Sequence, residues 1–394
     1  MQIAGIICEY NPFHLGHRGH IIKTRNIIGK DAGIVCVMSG NYVQRGDFAV
    51  FNKHSRAEMA VRTGADLVLE LPTPYVLMSA EGFANAGVYL LNALNICDHL
   101  SFGSEINNID ILREAAEIII SNKANEITKE WLDKGVSYAT AQQHAACALM
   151  GKNANVFKSP NNVLGIEYLK ALKRTGSAMK PVTTSRTGGE HDSDTGYSAS
   201  AIRKELYSGV IPSTLIPESV HEICKNEISS GRGPVSIFNA EQAIISRLRS
   251  ITDYSDISGI SEGLEQRFKK YACNESTIES ILHKIKTKRY PLSRIRRVLL
   301  NAVLSITKES TNIDPPYIRV LAMNAKGMNI LKQARKKSKL PIITKPAAVN
   351  DLCETSKKLF NSEASATDLY VLAYQNKNEQ EGSREWRKSP IIIR

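Results

Sequence analysis

The feature that most constrains the fold is an apolar stretch that leads into a turn and then a helix. Residues 3–7 are apolar and of strand length, and an Asn-Pro turn follows at residues 11–12. Because proline disfavours the helical conformation in the residue before it, the strand has to end before the helix begins. The sequence H-L-G-H at residues 14–17 is therefore predicted to lie at a strand-to-helix junction.

Such a junction is chemically suited to a phosphoryl group. The first N–H groups of a helix lack intrahelical partners, and the helix dipole favours an anion there. Gly16 lets a ligand approach the backbone closely. His14 and His17 lie three residues apart and so face the same side of the first helical turn, where two imidazole donors would stabilise developing negative charge. The alternative is a pair of surface or capping histidines.

The longer sequence at residues 9–20, E-Y-N-P-F-H-x-G-H-x-x-H, resembles the bacterial tRNA(Met) cytidine acetate ligases, a branch of the H-x-G-H nucleotidyltransferase superfamily. The resemblance covers nearly the whole chain and implies an enzyme that uses ATP to activate acetate as acetyladenylate. The acetyl group would then pass to N4 of the wobble cytidine of elongator tRNA(Met), giving N4-acetylcytidine, AMP and pyrophosphate. The resemblance implies that His14 and His17 are catalytic, and it implies ATP-binding roles for Ile7, Cys8, Glu9, Tyr10, Asn11, Pro12, Phe13, Gly16 and His20.

The first part of the chain alternates between strand-like and helix-like stretches. The later apolar runs and the helical stretches between them are residues 32–39, 55–63, 66–71, 80–94 and 97–102. Continuous apolar runs separated by helices are typical of a parallel sheet covered on both faces. We therefore predict an α/β fold with a doubly wound parallel sheet, Rossmann-like as in the H-x-G-H nucleotidyltransferases, whose ligands bind at the carboxyl ends of the strands.

Further motifs of the same family follow the later strands. The loop G-x-x-x-Q-R-G at residues 40–46 implies that Gln44 and Arg45 face the nucleotide or acetate, although a plain surface loop is the alternative. Gly103 follows the fourth strand and is implied to lie against the nucleotide. In the sequence S-P-N-N that ends with Asn161 and Asn162, one amide is implied to bind adenosine, whereas the alternative is that these residues cap a helix.

The sequence Y-S-A-S-A-I-R at residues 197–203 resembles the second superfamily signature, I-S-S-T-x-I-R, which closes over the triphosphate. Tyrosine replaces isoleucine at its first position, and an alanine follows the second serine. The resemblance implies ATP-binding roles for Arg186, Ser198 and Ser200. It also implies that Arg203 is catalytic, because its charge neutralises the leaving pyrophosphate.

The net charge of +12 arises entirely in the second part of the chain. Residues 1–234 contain 23 basic and 23 acidic residues, and residues 235–394 contain 28 basic and 16 acidic ones. A Gly-Arg-Gly-Pro sequence separates these parts and predicts a domain boundary. We predict an ATP-binding catalytic domain at residues 1–232 and a mostly helical, basic tRNA-binding domain at residues 233–394. The alternative is a solvated basic surface.

The basic excess is concentrated at residues 284–297, which contain seven basic residues and no acidic one. The predicted helix here has a basic first turn, which opposes the usual dipole preference. Phosphates of a tRNA would supply the missing negative charge. The candidate tRNA-binding residues are Lys286, Lys288, Arg289, Arg294, Arg296 and Arg297.

The hydropathy and the cysteine spacing argue against a membrane protein and against a cysteine-based metal site. No apolar run approaches the roughly 20 residues of a membrane span, and the seven cysteines are scattered without a C-x-x-C pair. We therefore predict a cytoplasmic protein with no dedicated metal site and no obligate protein partner, in which Mg²⁺ enters as the counter-ion of ATP. The alternative functions are a small-molecule adenylyltransferase of the same superfamily and an RNA-binding protein with a degenerate nucleotide site.

Overall fold

The computed structural model describes residues 1–185, 198–261 and 263–394. Its strands form one main sheet and a two-stranded hairpin. The strands are β1 (Ile3–Cys8), β2 (Gly33–Ser39), β3 (Tyr42–Val43), β4 (Asp47–Phe48), β5 (Leu67–Leu71), β6 (His99–Ser104), β7 (Lys180–Ser185), β8 (Ile318–Asn324), β9 (Ile342–Ile343) and β10 (Ile391–Ile393). The first four predicted strands are thus present, with ends shifted by at most two residues.

The main sheet has the order β10-β8-β5-β2-β1-β6-β7, and β9 pairs with β8. The strands from β5 to β7 run parallel, whereas β8 pairs antiparallel with β5. Strands β2 and β5 are buried along their whole length, as strands covered by helices on both faces must be. The predicted α/β fold with a doubly wound sheet is confirmed.

The strand order reverses at β1. The chain passes from β1 to β2 and β5 on one side and later returns to β6 and β7 on the other. Ligands of open α/β sheets bind at the carboxyl ends of the strands at such a reversal. The H-L-G-H sequence at residues 14–17 follows the carboxyl end of β1 and so lies at this point.

Helices cover the sheet and continue beyond it. They are α1 (Leu15–Ile28), α2 (Lys53–Arg62), α3 (Thr73–Val76), α4 (Ala80–Leu94), α5 (Ile109–Ile119), α6 (Asn122–Asp133), α7 (Tyr138–Met150), α8 (Pro160–Arg174), α9 (Ala199–Tyr207), α10 (Glu218–Ser229), α11 (Glu241–Ser250), α12 (Leu264–Asn274), α13 (Ile278–Ile285), α14 (Leu292–Val303), α15 (Lys308–Thr311), α16 (Ala325–Lys337), α17 (Glu354–Val371) and α18 (Arg384–Arg387). No helix within the described residues has the length and apolar character needed to cross a membrane.

Residues 233–394 contribute to three apolar cores, one among their own helices and two that pack against the main sheet. Helices α11 to α14 and α17 enclose an apolar core that also takes in Tyr42, Phe48 and Leu77 from the first part of the chain. Strands β8 and β10 extend the main sheet. This second part is mostly helical, as predicted, but it shares a sheet and a core with the first. The boundary between residues 232 and 233 stays a prediction.

A buried group of charged side chains joins the C-terminal segment to the sheet. Lys53 at the start of α2 donates to Glu70 on β5, with 2.6 Å between Nζ and Oε1, and also donates to Glu385 on α18. Arg319 on β8 forms ion pairs with both carboxylates. Because all four side chains are buried, loss of one partner would leave an uncompensated charge in the interior.

Candidate active site

The rings of His14 and His17 stack on each other at the strand-to-helix junction. Helix α1 begins at Leu15, and His14 is its N-cap. The Nδ1 atom of His14 accepts a hydrogen bond from the Gly16 amide at 3.0 Å, and Nδ1 of His17 accepts one from the His14 amide at 3.3 Å. The two ring centroids lie 3.7 Å apart. Both imidazoles therefore lie on the same side of the first turn, as their spacing predicts.

These capping bonds also fix the tautomers of the two rings. A ring nitrogen that accepts a hydrogen bond carries no proton, so neutral His14 and His17 carry their proton on Nε2. In each neutral ring the N–H donor is thus on Nε2, and Nδ1 accepts a hydrogen bond from a backbone amide at the start of α1. The capping role that the sequence left open is present, and it is compatible with donation to a phosphoryl group.

Gly16 is required by the position of the His14 ring. A Cβ atom at residue 16 would lie 2.8 Å from Cε1 of His14 and 3.0 Å from its Nδ1. A side chain here would displace the ring from its capping position. The structure thus adds a second reason for glycine to the predicted close approach of a ligand.

The turn between β1 and α1 is closely packed. The Tyr10 and Phe13 rings contact each other, with centroids 4.7 Å apart, and both contact His17. The Asn11 side chain accepts a hydrogen bond from the Val50 amide at 2.7 Å. These contacts fix the path of the chain into α1, and the ATP-binding roles of the turn residues stay predictions.

A buried arginine that sequence reasoning missed joins β1 and β2 at this edge of the sheet. The Arg56 guanidinium donates to the carbonyl oxygens of Glu9, Ser39 and Gly40, at or just beyond the ends of the two strands. Burial lowers the pKa of Arg56. The available signal was a charged residue on the buried face of a helix between two strands.

Glu9 holds the loop that follows β2. Its carboxylate accepts a hydrogen bond from the Gln44 backbone amide at 2.6 Å, and the Gln44 side chain donates to the Met78 carbonyl at 3.2 Å. Burial raises the pKa of Glu9, while the Gln44 amide and the charges of Arg56 and Arg203 oppose that rise. The loop with Gln44 therefore lies at the end of β1, and the contacts of Gln44 and Arg45 with nucleotide or acetate stay predictions.

Helix α9 carries Arg203 of the second superfamily signature, and this residue contacts the turn before the H-L-G-H sequence. Arg203 donates to the carbonyl of Asn11 at 2.8 Å and to the Ser200 hydroxyl at 3.1 Å. Ser198 is the N-cap of α9 and accepts from the Ala201 amide at 3.1 Å. Arg203 thus lies beside the histidine turn, and its catalytic role stays a prediction. Arg186 lies outside the described residues.

Both predicted asparagines hold the loop after β6. Oδ1 of Asn162 accepts hydrogen bonds from the amides of Glu105 and Ile106 at 3.0 and 3.2 Å. The Glu105 carboxylate accepts from the Asn161 side chain at 2.6 Å and from the Asn162 amide at 2.9 Å. The start of α8 is therefore capped by Glu105 rather than by an asparagine. These bonds shape the loop beyond Gly103, and the nucleotide contacts of all three predicted residues stay predictions.

His20, the last histidine of the motif, connects α1 to β6. Its Nε2 lies 3.0 Å from the Ser101 hydroxyl, which is also 2.7 Å from the Thr24 hydroxyl. These bonds position α1 against the sheet. An ATP contact of His20 stays a prediction.

The basic stretch surrounds the start of α14. Three predicted tRNA-binding residues are exposed between α13 and α14, namely Lys286, Lys288 and Arg289. Arg294 donates to the Ser261 hydroxyl at 2.6 Å. The first turn of α14, which is fully described, has no acidic residue and no side-chain cap. The predicted conflict between its basic charge and the helix dipole is present.

Helix α14 lies directly against the loop with Gln44. Gly46 has a φ of +77°, and a Cβ atom there would lie 2.5 Å from the Arg297 nitrogen and 2.6 Å from the Arg296 carbonyl carbon. Arg296 also forms an ion pair with Asp47 at 3.8 Å. The predicted substrate loop and the predicted tRNA-binding helix therefore touch through their backbones, which the sequence did not indicate.

Comparison with known proteins identifies the family. The protein-family model described as HIGH nucleotidyl transferase matches residues 1–385 of this chain. The tRNA(Met) cytidine acetate ligase of Acetivibrio thermocellus is 36% identical over 417 residues, with 100% of both chains covered. The chain belongs to the tRNA(Met) cytidine acetate ligase family. Another member, from Thermoanaerobacter, is 38% identical over 388 residues and covers 95% of this chain and 96% of its own length.

Solved structures of the same family share the fold. Thermotoga maritima TmcAL bound with alpha-thio ATP has a TM-score of 0.93 and 34% identity, with 100% of both chains covered. The apo form of TmcAL from this organism has a TM-score of 0.95 and 33% identity, again over both whole chains. The family resemblance stated from the sequence is therefore confirmed.

Proposed function

We propose that this chain is an ATP-dependent tRNA(Met) cytidine acetate ligase, which forms acetyladenylate and transfers acetyl to N4 of the wobble cytidine. The observation that carries the proposal is the stacked pair of His14 and His17 with Arg203 bonded to the turn beside them. The ATP analogue bound to the Thermotoga relative and the name of the Acetivibrio relative support it.

In the first step an acetate oxygen bonds to the α-phosphorus of ATP, and the bond from that phosphorus to pyrophosphate breaks. Negative charge grows on the α-phosphate oxygens, where the Nε2 donors of His14 and His17 stabilise it, since donors fixed in place need little reorganisation. Arg203 and the amides at the start of α9 stabilise the departing pyrophosphate. Gln44 and Arg45 bind acetate or phosphate from the neighbouring loop.

In the second step the cytidine N4 attacks the acetyl carbonyl carbon and loses a proton, and AMP departs. This route forms an amide without a covalent enzyme intermediate, so no nucleophilic side chain is required. The basic side chains around α14 bind tRNA phosphates and position the tRNA.

Mg²⁺ enters with ATP in this proposal, held mainly by phosphate oxygens and water. Two carboxylates near the candidate site already have partners, since Glu9 accepts from the Gln44 amide and Asp47 pairs with Arg296. A tRNA substrate also implies a cytoplasmic location, and the reaction requires no protein partner.

The direct test incubates the purified protein with ATP, labelled acetate and total tRNA, followed by analysis of the nucleosides. Label in N4-acetylcytidine supports the proposal. Acetate-dependent AMP formation without label in RNA would reject the acceptor while keeping carboxylate activation. No acetate-dependent turnover of ATP would reject the ligase and leave a small-molecule adenylyltransferase or an RNA-binding protein.

Histidine variants test the proposed site within the same assay. His14→Ala and His17→Ala are expected to abolish ATP-dependent product while leaving tRNA affinity near that of the wild type. The matched control is His144→Ala, because His144 stacks on Trp131 in the α6–α7 pair and is not part of the motif. Loss of tRNA affinity in the two site variants would contradict the separation of chemistry from tRNA binding.

A further inference from the structure

Two aromatic side chains lie exposed beside the candidate active site. Among the described residues, the aromatic side chains that are more than a third exposed are Tyr138, Tyr207 and Phe238. Tyr207 ends α9, the helix of Arg203, and Phe238 lies in the short 3-10 helix Ile237–Ala240. The two rings are 47% and 48% exposed. Apolar surface left in water beside a site is typical of ligand contact.

Both rings are held close to the loop that carries Asp47. The Tyr207 hydroxyl donates to the Val235 carbonyl at 2.9 Å. Burial raises the pKa of Asp47, and the nearby amide of Ile237, the residue before Phe238, opposes that rise. Although Tyr207 is 47% exposed, its partial burial raises the pKa of the hydroxyl to about 12, and the nearby negative charge of Asp47 adds to that rise. Tyr207 and Phe238 therefore lie near the same carboxylate.

Several arginines lie near Asp47. Arg296 pairs with Asp47 at 3.8 Å, Arg203 interacts with both Asp47 and Tyr207, and Arg45 is exposed on the same loop. Arg297 makes no ion pair with any described residue, and burial together with a neighbouring arginine lowers its pKa to about 10. Exposed rings among cations match a ligand that combines flat bases with phosphates.

We propose that Tyr207 and Phe238 form a stacking surface for the acceptor cytidine in its tRNA loop. The inference rests on the proposed function, because it assigns a contact to the second substrate. A cytidine has to leave its stack before its N4 reaches an activated acetyl group, and exposed aromatic faces hold such splayed bases. The surrounding arginines neutralise the flanking phosphates.

The test measures the affinity of the full chain for an RNA hairpin with the anticodon stem and loop of elongator tRNA(Met). One hairpin carries cytidine at the acceptor position, and a second carries an abasic residue there. Phe238→Leu and Tyr207→Leu keep an apolar side chain and remove the aromatic face. The matched control is Tyr138→Leu, since Tyr138 is 52% exposed on α7. Acetate-dependent ATP–pyrophosphate exchange is measured in parallel without RNA.

Each of the two site variants is expected to bind the cytidine hairpin roughly 5- to 150-fold more weakly, the range for one lost base–aromatic stack. Tyr138→Leu is expected to bind it as the wild type does. The wild type should lose affinity for the abasic hairpin, whereas the double variant Tyr207→Leu/Phe238→Leu should show little further loss because both stacks are already missing. Phe238→Trp should retain binding, since it keeps an aromatic face.

Unchanged affinity in both leucine variants would overturn the stacking surface. If the affinity losses from the double variant and from the abasic residue simply added, the surface would also be overturned, since a shared contact cannot be lost twice. A wild-type protein without acetate-dependent exchange would instead overturn the proposed function, whatever the hairpin affinities are.

Discussion

Gly46→Ala tests the contact between the substrate loop and α14. The φ of +77° at Gly46 is a left-handed conformation, which costs a residue with a Cβ about 1–2 kcal/mol. The added Cβ would also lie 2.5 Å from the Arg297 nitrogen and 2.6 Å from the Arg296 carbonyl carbon. These backbone atoms cannot move without moving α14, so overpacking adds about 1–3 kcal/mol. We expect a total loss of about 2–5 kcal/mol in the free energy of unfolding.

A matched glycine separates the two costs. Gly135 has a φ of +81°, and no described atom lies within 4 Å of a Cβ built there, its own chain neighbours aside. Gly135→Ala therefore carries the conformational cost alone, and the difference between the two variants measures the overpacking. Urea unfolding followed by circular dichroism gives the two free energies by linear extrapolation.

The same displacement has a functional consequence, because Gly46 joins the loop of Gln44 and Arg45 to the basic helix. Gly46→Ala is expected to weaken both acetate-dependent ATP–pyrophosphate exchange and tRNA binding, whereas Gly135→Ala should change neither. If Gly46→Ala unfolded at the same urea concentration as Gly135→Ala and kept both activities, the inferred contact would be refuted.

Three further changes test other parts of the structure. His14→Asn keeps a capping acceptor but removes the imidazole donor, so the urea midpoint should stay near that of the wild type while acetate-dependent exchange falls about 10²–10³-fold; retained exchange would contradict the role of His14. Arg297→Gln should reduce the slope of log affinity for tRNA against log salt by about 0.9, the value for one phosphate contact, and an unchanged slope would exclude that contact. Burial and the charge of Glu70 raise the pKa of Glu363 to about 7 from an ordinary 4.5. The folded state thus holds this proton more tightly, so the contribution of Glu363 to stability is full below pH 4.5 and declines as the pH rises to about 7. Glu363→Gln should remove that decline from urea midpoints measured across this range, and equal pH dependence in both proteins would refute the shift.

The part of the fold that local patterns determine was predictable from the sequence. The apolar runs specified the parallel strands, and the turn at residues 11–12 placed the motif at the end of β1. The position of β8 was not predictable, because its pairing with β5 depends on residues far apart in the chain. Arg319 on β8 forms ion pairs with Glu70 on β5 and with Glu385 on the last helix. These residues are far apart in the sequence and come together only when the chain folds. No local signal indicates these pairings.

The candidate site shows the same division between local and distant contacts. The resemblance implied that Arg203 acts on the same ATP as the histidine turn, and in the structure Arg203 donates a hydrogen bond to the Asn11 carbonyl of that turn. For Asn162 the sequence offered a cap or a nucleotide contact, whereas its Oδ1 holds the loop after β6. That third possibility depends on Glu105, which lies 57 residues away. An amide has several possible partners, and only the fold selects among them.

The two interpretations of His14 do not compete, because they use different atoms. The cap requires an acceptor, which Nδ1 provides to the Gly16 amide. The proposed chemistry requires a donor, and the same capping bond places the proton of the neutral ring on Nε2. Since helix formation selects the donor tautomer, the chemistry of the site depends on the start of α1. A substitution that preserves the cap but lacks a donor at the Nε2 position therefore separates the folding role from the chemical one.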